Sequence, residues 1–203
     1  MAGKPVINKV EQKGKTMTKI RAVVFMFTLA VLTSGCTIIA PSYAPDYSVL
    51  DSLKRQKVSK VASVTVEPKD PNERVNNITL RGSTLASPSG SYAKYLEDAI
   101  KSDLTDANLL DSSSLFKLSA ILLTNDINVA GFGTGYGTIE AKFSIYRNET
   151  AVFDKKIKVE TEFESSFAGA VAIPKGQNEY PNLVRALLKK LYIDKEFINA
   201  LQN

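Results

Sequence analysis

From residue 91 the apolar positions recur every four: Tyr92, Leu96, Ile100 and Leu104, with Ala99 and Ala107 beside them. That spacing predicts an amphipathic helix with one buried stripe, capped by Ser91 and ending near Asn108. Further on the period changes to two. Ile139, Ala141, Phe143 and Ile145 alternate with Glu140, Lys142 and Ser144, the signature of a half-buried strand. Arg147-Asn148-Glu149 turns the chain into a long partner over 152–163, so the two strands form an antiparallel hairpin. Residues 116–123 are apolar in both registers, which predicts a central strand, and 58–66 and 78–81 read as two shorter strands before it. Leu183, Val184, Leu187, Leu188 and Leu191 mark the buried face of a second helix entered through 177–181. Asp194 caps a last short helix with Phe197, Ile198 and Leu201. The order strand, strand, helix, strand, hairpin, helix predicts an α+β single domain, with a largely antiparallel sheet and two main helices packed on one face.

The first 56 residues follow another pattern. Lys19 and Arg21 precede residues 22–32, eleven positions without a charge, and Thr33-Ser34-Gly35-Cys36 closes the run. A basic start, a short apolar stretch and small residues at a cut site describe a secretory signal peptide over 1–35. Eleven residues are too few for a helix to cross a hydrocarbon core, which takes about 20. Met17 begins a complete signal by itself, so it is the expected natural start. Pro41 and Pro45 break any regular element after Cys36, and 36–56 reads as a flexible tether ahead of a periplasmic domain at 57–203. The words Leu32-Thr33-Ser34-Gly35-Cys36 resemble the lipobox of bacterial lipoproteins. That resemblance implies cleavage before Cys36, acylation of its thiol, and a palmitate-type chain on the new amine.

Charge removes one class of partner. Residues 1–35 hold six of the 26 Lys and Arg but one of the 21 acids, so the remaining 168 residues carry 20 of each sign. A nucleic-acid binder needs surplus cations against phosphate, and this domain has none. Membrane contact is therefore expected through the anchor on Cys36. The chain has one cysteine and no histidine, which excludes disulfides within it, Ser-His-Asp and Cys-His hydrolysis and most zinc sites. No cofactor, metal or catalytic residue is expected. Paired carboxylates are the remaining enzymatic option: Glu160, Glu162 and Glu164 share one strand face, either as acid–base candidates or as a solvated row continuing Lys156 and Lys158.

Two stretches stand out as candidate binding surfaces. Gly131, Gly133, Gly135 and Gly137 alternate and run into a strand, whereas a dinucleotide loop needs unequal spacing before a helix. The stretch reads as a loop presenting Phe132 and Tyr136, either a binding lip or a slack connection. Residues 167–173 are small and apolar where a polar turn belongs, and carry Phe167, Val171 and Ile173. They either pack as an irregular edge segment or form an exposed surface for a partner or an acyl chain.

Ser91-Tyr92-Ala93-Lys94-Tyr95-Leu96, Asn125-Asp126-Ile127-Asn128-Val129-Ala130-Gly131-Phe132, and 165–175 with Glu179-Tyr180-Pro181 resemble a family of largely uncharacterised proteobacterial envelope lipoproteins. The layout is more distantly similar to the auxiliary lipoproteins of ABC-type lipid-transport systems. The closer resemblance implies no activity and the distant one is an analogy of layout; the leading expectation is a non-enzymatic binding or assembly module on the periplasmic face of the outer membrane, with an envelope protein or lipid as partner. In such families a residue other than Asp after the lipidated cysteine favours outer-membrane sorting, and Thr37 fits. The alternative is a carboxylate-based enzyme acting on envelope glycan or lipid.

Overall fold

Alternating side chains along three long strands and one amphipathic stripe per helix leave a single way to bury both, and the computed structural model adopts it. It describes residues 36–202; the expected signal peptide and Met17 lie outside them. In chain order the elements are β1 (Thr37–Ile39), α1 (Tyr47–Arg55), β2 (Ser63–Glu67), β3 (Ile78–Leu80), β4 (Ser83–Ala86), α2 (Tyr92–Asp106), β5 (Phe116–Asn128), β6 (Thr134–Arg147), β7 (Thr150–Glu164), α3 (Gly169–Tyr192) and α4 (Lys195–Ala200). The α+β class and the single domain are as expected.

The main sheet runs β2-β5-β6-β7, antiparallel except for β2 beside β5. Ile139, Ala141, Phe143 and Ile145 of β6 are buried, as are Leu118, Ala120 and Leu122 of β5. Tyr180, Leu183, Val184, Leu187 and Leu191 of α3 and Leu96, Ile100 and Leu104 of α2 complete this core. The hairpin between β6 and β7 closes through Asn148 and Glu149, both at positive φ, as a two-residue turn matched to strand twist requires. The caps at Ser91 and Asp194 are formed. Ser91 Oγ accepts from the Lys94 N–H at 3.1 Å and Asp194 Oδ1 from the Glu196 N–H at 2.9 Å.

Five expectations are corrected. Residues 37–56 are part of the folded unit, not a tether. β1 lies parallel to β4, with Thr37 opposite Thr84 and Ile39 opposite Ala86; Asp46 caps α1, and Val49, Leu50 and Leu53 are buried. The folded unit thus begins at Thr37, twenty residues before the expected boundary. The first strand is short, because only 63–67 pair with β5, and β4 adds a strand that its four residues did not announce. β5 buries one face only: Ile121 and Leu123 are exposed. A bulge at Leu123 shifts the register, so Thr124 faces out and Asn125 turns into the core. Gly135 and Gly137 belong to β6, not to a loop, and Gly135 has no Cβ because the ring of Phe163 on β7 lies where one would stand. Finally, Ala170 to Ile173 are helical. α3 starts at Gly169 and runs unbroken through Pro174 and Pro181, held by packing on β6 and β7.

Candidate functional site

The two stretches singled out in the sequence meet at one end of the sheet. After β5 the chain turns through 129–133 and enters β6; after β7 it turns through 165–168 and enters α3. The Ser165 N–H donates to the Gly133 carbonyl at 2.9 Å and prolongs the β6–β7 ladder into both turns. Across them the rings of Phe132 and Phe167 stack, with centroids 5.3 Å apart and planes 10° from parallel. Phe132 is 82% exposed and Phe167 69%. Two phenyl rings left to water side by side are unusual unless something covers them.

Arg81 holds this arrangement together. It sits at positive φ in the tight turn Arg81–Gly82 that joins β3 to β4. Its Nε donates to the Val129 carbonyl at 3.0 Å, and its Nη2 to those of Ser166 at 2.9 Å and Gly131 at 3.3 Å. Its Nη1 donates to the carbonyl of Phe167. One planar guanidinium thereby ties the backbone of both aromatic turns to a third element. Sequence reasoning did not find Arg81. The Leu-Arg-Gly-Ser turn signal was present, but nothing local states where the side chain reaches.

The other expected surface residues separate. Tyr136 lies on β6, paired with Glu162 on the outer sheet face, and is half exposed. Val171 is exposed in the first turn of α3. Ile173 packs against the core and is not part of the exposed surface. Cys36 is exposed and free, immediately before β1.

The row of Glu160, Glu162 and Glu164 stays on one exposed strand face. Glu160 and Glu164 are exposed, and each is occupied by a lysine: Lys158 at 2.6 Å and Lys175 at 2.8 Å. Those hydrogen bonds hold both carboxyls below their usual range, the wrong direction for a general acid. An open cleft of about 390 Å³ lies over the outer face of β5, lined by Arg74, Asn77, Leu123, Asp126 and Thr138, with Asp126 as its one carboxylate. Among the described residues no group of three His, Cys, Asp or Glu is placed to hold a metal, and no helix is long and apolar enough to cross a membrane.

A different cluster was missed altogether. Asp103 of α2 is buried, and the Tyr43 hydroxyl donates to it at 2.9 Å while that of Tyr192 faces the same carboxylate. Burial raises its pKa to about 6. It is sealed by Leu188, Tyr192 and Tyr43, so its work is structural.

No protein-family model matches the chain, and no curated protein does. Among solved structures the chain is similar to a Xanthomonas campestris protein of the DUF330 family, with 15% identity, a TM-score of 0.48, and 77% of this chain and 95% of that one covered. It is also similar to a protein of Caulobacter crescentus CB15 provisionally described as a lipoprotein (12%, TM-score 0.44, 75% and 96%). A minor lipoprotein of Acinetobacter baumannii is a third (14%, TM-score 0.40, 71% and 92%). No role passes from them to this chain.

Proposed function

We propose that the chain is a lipoprotein anchored through acylated Cys36 to the periplasmic face of the outer membrane, serving as a non-enzymatic binding or assembly module. The carrying observation is the position of Cys36. It is exposed, unpaired, and followed without any spacer by the first residue of a strand. A thiol there is accessible to acylation, and cleavage before it removes nothing from the folded unit. The role as a binding module draws on the stacked, exposed Phe132 and Phe167, fixed in place by Arg81. An accessory part in envelope lipid transport is compatible with such a surface. A non-enzymatic role is favoured because all three candidate carboxylates are exposed and two of them, Glu160 and Glu164, are engaged by lysines.

Labelling cells with a radioactive or alkyne-bearing palmitate tests the anchor. The label is expected on the wild-type chain in the outer-membrane fraction and not on Cys36→Ala. Label absent from both overturns the reading. Crosslinking in intact cells then tests the module: the protein or lipid neighbours recovered with the wild type are expected to be lost with Phe132→Ala/Phe167→Ala, and unchanged recovery removes that surface from the binding role.

A further inference from the structure

We infer that the stacked pair Phe132 and Phe167 rests in the headgroup region of the very bilayer that holds the lipid anchor, so that this end of the domain faces the membrane. The inference rests on the anchored reading above and adds an orientation and an occupant to it.

No tether stands between Cys36 and the fold. Thr37 is already paired with Thr84, so one residue step, about 3.8 Å between Cα atoms, separates the acylated residue from the folded unit. A sulfur bonded to a diacylglyceryl group lies at headgroup level. With no slack, whatever surrounds Thr37 lies at the membrane too.

Parallel pairing says what surrounds it. β1 and β4 start at the same end, and the residues just before β4 are the turn Arg81–Gly82. The Arg81 side chain reaches from that turn to the carbonyls of Gly131, Ser166 and Phe167. Thr37 and the two rings therefore share one end of the molecule, linked through one strand spacing and one arginine side chain. The opposite end of the β6–β7 hairpin, the turn at Asn148, stands about 45 Å away along 14 residues of strand.

The chemistry at the near end suits an interface. Phenyl rings gain by leaving water, and the Arg81 clamp fixes these two so that little ordering is left to be done on contact. Val171, in the first turn of α3, and Tyr136, near the start of β6, are exposed apolar side chains close in the chain to the same two turns.

The chain has no tryptophan, so Phe132→Trp, Phe167→Trp and, at the far end, Val152→Trp each give a single reporter. All three sites are exposed, so the fold is expected to survive, and thermal melting checks it. The acylated full chain is reconstituted into phosphatidylethanolamine–phosphatidylglycerol vesicles, with and without dibrominated phosphatidylcholine. Emission from Phe132→Trp and Phe167→Trp is expected to shift to the blue and fall at least twofold with brominated lipid, while Val152→Trp stays unchanged. Equal quenching at all three positions, in protein whose mass shows the acyl chains, overturns the orientation and leaves the anchor standing. A blue shift that follows protein concentration rather than lipid gives the rings to a second copy, and also overturns it. Protein whose mass shows no acyl chain refutes the anchored reading and the orientation together.

Discussion

Tyr43 donates a hydrogen bond of 2.9 Å to the buried carboxylate of Asp103, and so fastens the segment between β1 and α1 to the last turn of α2. The carboxylate is 1% exposed. Burial raises its pKa most, the Tyr43 and Tyr192 hydroxyls oppose that, Asp106 raises it further and Arg185 lowers it, leaving about 6. Tyr43 is pushed up in turn by burial and by Asp103.

The pH dependence follows from the sign of that shift. A raised carboxyl pKa means the folded chain holds the proton more tightly than the unfolded chain does, so stability falls as pH rises from about 4 to 6. Over that window the loss is about 3 kcal/mol. Glu97 of α2 acts the other way. Burial raises its pKa, but hydrogen bonds from Lys101, the Val66 N–H and Lys69 outweigh this and hold it at about 2, so its contribution is lost as pH falls from about 4.5 toward 2. Urea unfolding across pH 2.5 to 7.5 is expected to show maximum stability near pH 4 to 5. Asp103→Asn is expected to abolish the descending limb above that maximum; a limb that survives the substitution assigns it to other groups.

Removing the donor while keeping the ring separates hydrogen bonding from packing. Tyr43→Phe is expected to cost about 1–2 kcal/mol in denaturant midpoint, since Asp103 then stays buried with one partner fewer. The same change withdraws a bond that favours the ionised form, so the pH window of Asp103 moves upward. A variant with wild-type stability and an unmoved window shows that solvent replaces the hydroxyl.

Tyr43 also shows where sequence reading stops. The β6–β7 hairpin, the Ser91 and Asp194 caps and the leucine face of α3 were legible because each is written in residues a few positions apart. Residues 37–56 were not. β1 pairs with a strand 47 positions away, Pro41 offers its carbonyl to the Tyr95 hydroxyl, and Gln177 and Arg185 of α3 donate to the carbonyls of Ile39 and Ala44. A proline that breaks local order, Pro41, is engaged by a distant partner instead. Leu123 misled in another way, because one bulged residue reverses which side of β5 faces the core. Phe132 and Phe167 were legible one at a time; their meeting depends on Arg81, which no local pattern links to either.

Arg81→Ala tests that meeting. Four carbonyls lose one charged donor, and the expected cost is about 1–3 kcal/mol, read as a fall in denaturant midpoint. Hydrogen exchange is expected to speed up at 131–133 and 166–168 while the centre of β6 keeps its protection. Arg81→Lys, with one ammonium in place of a planar fork, is expected to recover only part of the loss. Uniform acceleration over the whole sheet is the contrary result, and makes Arg81 a general stabiliser instead of a local clamp.

The approach of α3 to the end of β5 depends on a residue without a side chain. A Cβ at Gly176 would stand 2.6 Å from Val129 Cγ1 and 3.2 Å from Ile127 Cγ2. Val129 is branched at Cβ and buried, so it has no free rotamer to yield with. Helix propensity favours alanine by about 1 kcal/mol, whereas overpacking costs about 1–3. Gly176→Ala is therefore expected to lower stability by up to about 2 kcal/mol, with α3 displaced outward at its N-terminal half. The displacement loosens the Phe167 turn, which α3 anchors from behind, and the exchange rates at 166–168 rise with it. If the variant is instead more stable than wild type, the helix has slack at Gly176, and the glycine serves its own backbone, not the approach to β5.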